Sequence, residues 1–137
     1  MNRLVARAAG AALVDLVLVL VFAGIGRMSH EEGLSVAGLA RTAGPFVGGW
    51  LAGWVLVAVV PTTRHRPRSL LAGVLVWVAV VVVGMVVRGG VVGDGVQTSF
   101  VVVTTIVVAV FLLGWRALAA LVTRGRTRAA AQGTMVT

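Results

Sequence analysis

The sequence predicts an all-α membrane protein with four transmembrane helices. Its 137 residues are 59% hydrophobic and only 12% charged, roughly half the charged fraction of a typical soluble domain. A helix needs roughly 20 apolar residues to cross a bilayer. Four stretches of about this length contain no more than one charged residue each. They cover residues 8–25, 43–60, 70–87 and 100–122. The chain has no cysteine, which excludes disulfides and thiolate chemistry.

The first two stretches each carry a feature that bears on how the helix is used. Residues 8–25 follow Arg3 and Arg7 like the apolar part of a signal peptide, but the internal Asp15 and the three later spans favour an uncleaved helix. Residues 43–60 begin near Pro45, which is tolerated at the start of a helix. Small residues four apart on this helix predict a close packing face, formed by Gly44, Gly48, Gly49, Ala52 and Gly53.

The third stretch is the most uniformly aliphatic of the four. Residues 70–87 are almost purely aliphatic and lack the alternation of polar and apolar residues that marks a membrane strand, so a helix is predicted. The fourth span, residues 100–122, completes a transmembrane domain over residues 1–122. Residues 123–137 are rich in Ala, Gly and Thr with spaced arginines, which predicts a flexible basic tail.

The arginines predict the orientation in the membrane. Nine of the twelve lie on the side of the N-terminus, the middle loop and the tail, and basic loops stay in the cytoplasm. Both termini are therefore predicted to be cytoplasmic. Six of these arginines are predicted to contact anionic lipid headgroups: Arg64, Arg66, Arg68, Arg124, Arg126 and Arg128. Because topology explains these charges, no nucleic-acid partner is expected.

An internal repeat is indicated when the chain is aligned with itself. A shift of 61 residues matches Arg3 with Arg64, Arg7 with Arg68, Arg27 with Arg88 and the pair 53–54 with 114–115, both Gly-Trp. Each half would be one helical hairpin, and two spans per half make the repeats parallel. Alternatively, the two hairpins merely share common residues at helix ends.

Asp15 is the most informative residue because it lies within the first span. It is about 10 Å below the start of that span at the helical rise, and Arg116 lies at a matching depth in the fourth. A lone charge in a bilayer is costly, so we predict that Asp15 and Arg116 form a buried ion pair. Two alternatives stay open: Arg116 extends to the headgroups while Asp15 meets water, or Asp15 is a protonatable group used in transport.

The loop after the first span contains a second set of candidate residues, His30, Glu31 and Glu32. With Asp94 from the other loop on that side, they could form a metal or proton site, although one histidine with adjacent carboxylates is a weak metal pattern. The other interpretation is a solvated loop in which Ser29 and Glu32 form a capping box that starts a short helix. No metal or other cofactor is therefore predicted.

A set of residues and short motifs spread over much of the chain follows the pattern of a known family. The set is Asp15, Phe22-Ala23, Ile25-Gly26-Arg27, Ser29-His30, Glu32-Gly33, Thr42, Pro45-Phe46, Gly49-Trp50, Gly53-Trp54, Gly84-Met85, Arg88, Ser99-Phe100 and Leu113-Gly114-Trp115-Arg116. In these residues the chain resembles a family of small prokaryotic membrane proteins, the domain of unknown function 3054. The resemblance implies a four-helix membrane protein and brings no assigned activity with it.

Two hypotheses of function follow, and both place the protein in the cytoplasmic membrane. In the first, it is a non-catalytic structural, accessory or lipid-interacting subunit in which Asp15 and Arg116 only lock the bundle. In the second, a homodimer transports a small solute or ion with Asp15 as its inner polar element. The sequence shows no nucleophile and no paired acid and base, so an enzyme is not expected. The expected partners are membrane lipids and a second copy or a larger membrane complex.

Overall fold

The computed structural model describes residues 2–30, 32–93 and 95–135, and these form an antiparallel helical bundle. The helices are α1 (Arg3–Ser29), α2 (Val36–Val59), the short α3 (Pro61–Arg64), α4 (Leu70–Val87) and α5 (Thr98–Thr134), with a π-helical turn at Arg88–Val92 after α4. Among the described residues, α1, α2, α4 with its π-helical turn, and α5 are long and apolar enough to cross a membrane. The predicted set of four membrane-spanning helices is therefore confirmed at the level of length and composition.

The start of α2 differs from the prediction in two respects. Ser29 does not begin a helix: it ends α1, and its hydroxyl donates to the carbonyl oxygen of Ile25 at 2.8 Å. Ser35 caps α2 instead, accepting a hydrogen bond from the Gly38 amide at 3.0 Å. Because α2 begins so early, Pro45 lies inside the helix rather than at its first turn, and it removes one backbone hydrogen bond there.

The last helix is longer than a membrane requires. α5 has 37 residues, about 55 Å at the helical rise, whereas the hydrocarbon layer is about 30 Å thick. The segment predicted as a flexible tail is thus helical as far as Thr134 and solvent-exposed throughout. Its flexibility stays a prediction.

The closest helix contact joins α2 to α4 through glycines. A Cβ atom at Gly49 would lie 2.6 Å from the Cα of Val80, and one at Gly53 would lie 2.7 Å from the Cα of Val76. Gly44 and Gly48, from the same predicted face, would meet no atom of the described chain within 4 Å, and Ala52 is half-buried. The packing contact is therefore made by the stripe that contains Gly49 and Gly53.

The core lies between the four long helices. It is mainly aliphatic, with a layer of phenylalanines on the side of the loop that joins α1 to α2. Phe46 fits against Gly84 and meets the Phe22 ring edge-on, with centroids 5.3 Å apart. Large apolar side chains also cover the outside of every long helix, as expected for a bundle surrounded by lipid. The bundle has two ends: the tail end, with the start of α1, α3 and the end of α5, and the hairpin end, with residues 26–30, 32–35, 88–93 and 95–97.

A buried ion pair as the candidate functional site

Asp15 of α1 and Arg116 of α5 meet inside the bundle, and both are almost fully buried, with exposed fractions of 0% and 1%. The contact is bidentate. Arg116 Nη1 donates to Asp15 Oδ1 at 2.7 Å, and Nη2 donates to Oδ2 at 2.8 Å. Paired donors on a carboxylate give the strongest geometry available to an arginine. The structure thus brings together the two charges that the sequence places at matching depth.

Two tryptophans complete the surroundings of the carboxylate. The Trp115 indole N–H donates to Asp15 Oδ1 at 2.8 Å, and the Trp54 indole N–H donates to Oδ2 at 3.1 Å. Each carboxylate oxygen therefore accepts two hydrogen bonds, one from the guanidinium and one from an indole. Since an ionised carboxylate has about four acceptor positions, the hydrogen-bonding capacity of Asp15 is filled.

The side chain of Arg116 is held as closely as that of Asp15. Its Nη1 also donates to the carbonyl oxygen of Leu112 at 2.9 Å, and its guanidinium lies 4.6 Å from the centroid of the Trp115 ring. The arginine passes over Gly73 of α4, where a Cβ atom would lie 2.7 Å from the Arg116 Cδ. Its Nε is buried without a hydrogen-bond partner among the described residues.

The ion pair lies near the tail end of the bundle. Gly73 is three residues after the start of α4, and Trp54 is five residues before the end of α2, which corresponds to about 5 and 8 Å at the helical rise. These values are close to the depth of about 10 Å expected from the first span alone. The charges therefore lie near the tail-side ends of α2 and α4, while α1 and α5 extend about 18 and 27 Å beyond them.

Sequence reasoning did not identify the tryptophan and glycine partners of this pair. The signal that could have found the tryptophans is the shift of 61 residues, which matches Trp54 with Trp115. The other two tryptophans have neutral partners: Trp50 donates to the carbonyl oxygen of Ala12, and Trp77 to that of Thr105, both at 3.0 Å. Four chemically identical donors thus separate into two classes only in three dimensions.

The second candidate set, at the hairpin end, is described in part. His30 and Glu32 line one cavity there, and Glu32 forms a salt bridge of 3.1 Å with Arg27. Glu31 and Asp94 lie outside the described residues. Among those the structure does describe, no three His, Cys, Asp or Glu residues are grouped to hold a metal ion.

The six arginines predicted to contact headgroups are all exposed and lie at the tail end. Arg68, Arg124 and Arg128 line a groove of about 700 Å³ that reaches Arg116. Arg64 donates to the ring of the neighbouring His65 at 3.3 Å. This end of the protein is consequently strongly basic, while the carboxylate below it is fully engaged.

Comparison with known families agrees with this architecture. The family model described as "Protein of unknown function (DUF3054)" matches residues 12–119. The chain belongs to the DUF3054 family. The match includes Asp15, Arg116 and both of the tryptophans bound to the carboxylate. No curated protein and no solved structure gave a match.

Proposed function

We propose that this DUF3054 protein is a non-catalytic, multi-pass subunit of the cytoplasmic membrane with a structural, accessory or lipid-interacting role. The observation that carries the proposal is the saturation of Asp15. Its carboxylate is fully buried and accepts four hydrogen bonds from Trp54, Trp115 and Arg116. A carboxylate that carries a proton or cation through a membrane needs a vacant acceptor position or contact with water. The charge is instead used to connect α1, α2 and α5.

The orientation that we propose has both termini and the whole tail end in the cytoplasm. The excess of arginine at that end supports it, because basic segments are retained on the cytoplasmic side. The exposed arginines of the α3 region and of the α5 extension would then face the anionic inner leaflet. Each such residue contributes about 1 kcal/mol of attraction near the surface. Lipid contact at this face fits an organising or accessory subunit.

The proposal is tested by flux and by purification. Purified protein in liposomes should show no proton or ion flux that depends on Asp15, and Asp15→Asn should leave the background leak unchanged. Extraction of native membranes in a mild detergent should yield the protein with a stable larger partner or tightly bound lipid. A flux that is present in the wild type and lost in folded Asp15→Asn protein would contradict the proposal.

A dimeric transporter or channel for a small solute or ion is the second candidate, and the tail-end groove favours it. This groove of about 700 Å³ is lined by Arg116 itself, so it offers a route toward the partnerless Nε at the back of the ion pair. A transport role predicts a dimer in lipid, because four helices rarely enclose a path alone. The dimer fraction is measured by inter-subunit cross-linking at increasing lipid-to-protein ratio. A protein that stays monomeric would contradict the transporter hypothesis, because one copy cannot enclose the path.

A further inference from the structure

A separate cavity of about 470 Å³ lies at the hairpin end of the bundle, opposite the ion pair. Its walls come from α1, α2, the π-helical turn and α5. The inner wall is apolar and aromatic, with Phe22, Phe46 and Phe100 side by side. A partly apolar cavity of this size with a few polar groups is typical of a small-molecule site.

Two polar atoms in the wall of this cavity have no hydrogen-bond partner among the described residues. They are the Nε of Arg88 and the hydroxyl oxygen of Thr104, both buried. Such groups are normally satisfied in a folded protein. The adjacent Thr105 donates to the carbonyl oxygen of Val101 at 2.7 Å. Thr104, with an exposed fraction of 0%, makes no equivalent bond among the described residues. Its hydroxyl lies just behind the cavity surface, where a ligand reaches it after a side-chain rotation.

The cationic groups of the cavity are unequal. Arg27 is largely used, with four of its five N–H groups bonded. It donates to the Glu32 carboxylate at 3.1 Å, the Thr42 hydroxyl at 2.9 Å and the carbonyl oxygens of Gly33 and Glu32, both at 3.0 Å. Arg88 contacts the face of Phe100 instead, with its guanidinium carbon 4.7 Å from the ring centroid. That contact leaves guanidinium N–H groups able to donate. Arg88 therefore supplies the positive charge that is available to a ligand.

We infer that this cavity binds an oxyanion, a phosphate or a carboxylate, joined to an apolar group. The anion would lie against Arg88 and the Thr104 hydroxyl, because a guanidinium fork and a hydroxyl are standard donors to such groups. The apolar part would lie along the phenylalanine wall. The source is either an amphiphile from the membrane or a soluble organic anion, and the two share this chemistry.

Binding can be tested on the full-length protein in a neutral maltoside detergent. Thermal unfolding and tryptophan fluorescence are followed during titration with lyso-phosphatidylglycerol, with dodecanoate and with inorganic phosphate, and with the uncharged monododecanoylglycerol as control. We expect saturable stabilisation by at least one of the anionic amphiphiles and none by the uncharged one. Stabilisation by phosphate alone to the same extent would overturn the inference of an apolar part, because phosphate has no group to place along the phenylalanine wall. No saturable effect of any of the three anions would overturn the inference.

Two variants locate the binding. Arg88→Gln should weaken the effective anion at least about tenfold, as expected for the loss of a charge-assisted contact, while Arg124→Gln at the other end should not. Thr104→Val should also weaken binding, yet leave the empty protein as stable or more stable, because it removes a buried hydroxyl without a partner. Unchanged affinity in both variants would overturn the inference. The site is distant from Asp15, so this result is independent of the proposed structural role.

Discussion

Removing either charge of the Asp15–Arg116 pair is expected to destabilise the bundle strongly. Asp15→Asn leaves Arg116 charged and buried, and Arg116→Gln leaves Asp15 charged between two indoles. Breaking a buried pair by removing one partner costs about 3–5 kcal/mol, chiefly because the remaining charge is uncompensated. We expect each single variant to lose a free energy of unfolding in that range.

The double variant separates a coupled pair from two independent contacts. With Asp15→Asn and Arg116→Gln combined, no buried charge remains, and the two amides can hydrogen-bond to each other and to the indoles. The loss should therefore be smaller than the sum of the single losses. A coupling free energy of about 2–3 kcal/mol is expected, at the upper end for residues in one network.

The assay is reversible unfolding of the protein in lipid–detergent micelles, titrated with a denaturing detergent and followed by tryptophan fluorescence and circular dichroism. Glu32→Gln is the matched control. It removes one charge from the Arg27–Glu32 pair, in which the glutamate side chain is 54% exposed and the arginine side chain 11%. Because Arg27 keeps its bonds to Gly33 and Thr42 and the glutamate is reached by water, the loss should be smaller than that of either change to the fully buried pair. Additive single losses, or an Asp15→Asn variant as stable as the wild type, would refute the assignment of a structural ion pair.

A charge swap sharpens the same prediction. Exchanging the two residues, Asp15→Arg with Arg116→Asp, preserves the sum of charges but places a guanidinium between the indole N–H groups of Trp54 and Trp115. Both indole groups can only donate hydrogen bonds. The arginine at position 15 would therefore have no acceptor in either indole, whereas the carboxylate of Asp15 accepts a hydrogen bond from each. The swap should therefore fail to restore stability. Full restoration would show that only the pairwise charge attraction matters.

Three further substitutions test the packing around this pair in the same assay. Trp54→Phe should cost about 1.5–3 kcal/mol because its partner is charged, whereas Trp50→Phe, which loses a bond to a neutral carbonyl, should cost about 0.5–1.5 kcal/mol. Gly49→Ala should cost about 1–3 kcal/mol by forcing α2 away from the backbone of α4, while Gly48→Ala should be neutral or stabilising by up to about 1 kcal/mol. Gly73→Ala places a methyl group 2.7 Å from the Cδ of the paired arginine and should lower stability as much as a direct change to the pair.

Hydropathy was sufficient to predict the number of long helices, but not where each one ends. The boundary of α2 depends on one cap, at Ser35 rather than Ser29. Only Ser29 has a glutamate three residues later, as a capping box requires, whereas Ser35 has Gly38 at that position. Ser29 lies in the last turn of α1, where its hydroxyl bonds to the preceding turn. Because α1 continues past its apolar stretch as far as Ser29, this serine cannot cap the next helix. The apolar pattern of the sequence does not show that continuation.

The site could be predicted only in part for a similar reason. Two isolated opposite charges in apolar sequence are expected to pair, because each has few other charged partners inside a membrane. The Asp15–Arg116 contact could therefore be predicted from the sequence. Tryptophan carries no such constraint, since it is common at membrane interfaces for its shape alone. Which of the four tryptophans donate to the carboxylate depends on helix rotation, and for Trp54 the rotation of α2 is restricted by the glycine contact with α4.

The predicted repeat gives a common explanation for the two polar sites. Trp54 and Trp115 are matched by the shift of 61 residues and donate to one carboxylate. Arg27 and Arg88 are matched by the same shift and line one cavity. Each site thus contains residues from both predicted hairpins that the shift of 61 residues aligns, and the repeat itself stays a prediction.

The halves differ in their acids. Asp15 aligns with Val76, so the tail-end site contains one carboxylate that its donors share. At the hairpin end, Glu32 neutralises Arg27 but aligns with Gly93, which offers Arg88 no carboxylate. Among the described residues, the tail-end site contains its own anion, whereas the hairpin-end cavity presents Arg88 without an acid at the position that the shift aligns with Glu32. This difference in charge supports the proposed structural role of the first site and the proposed binding of an anion in the second.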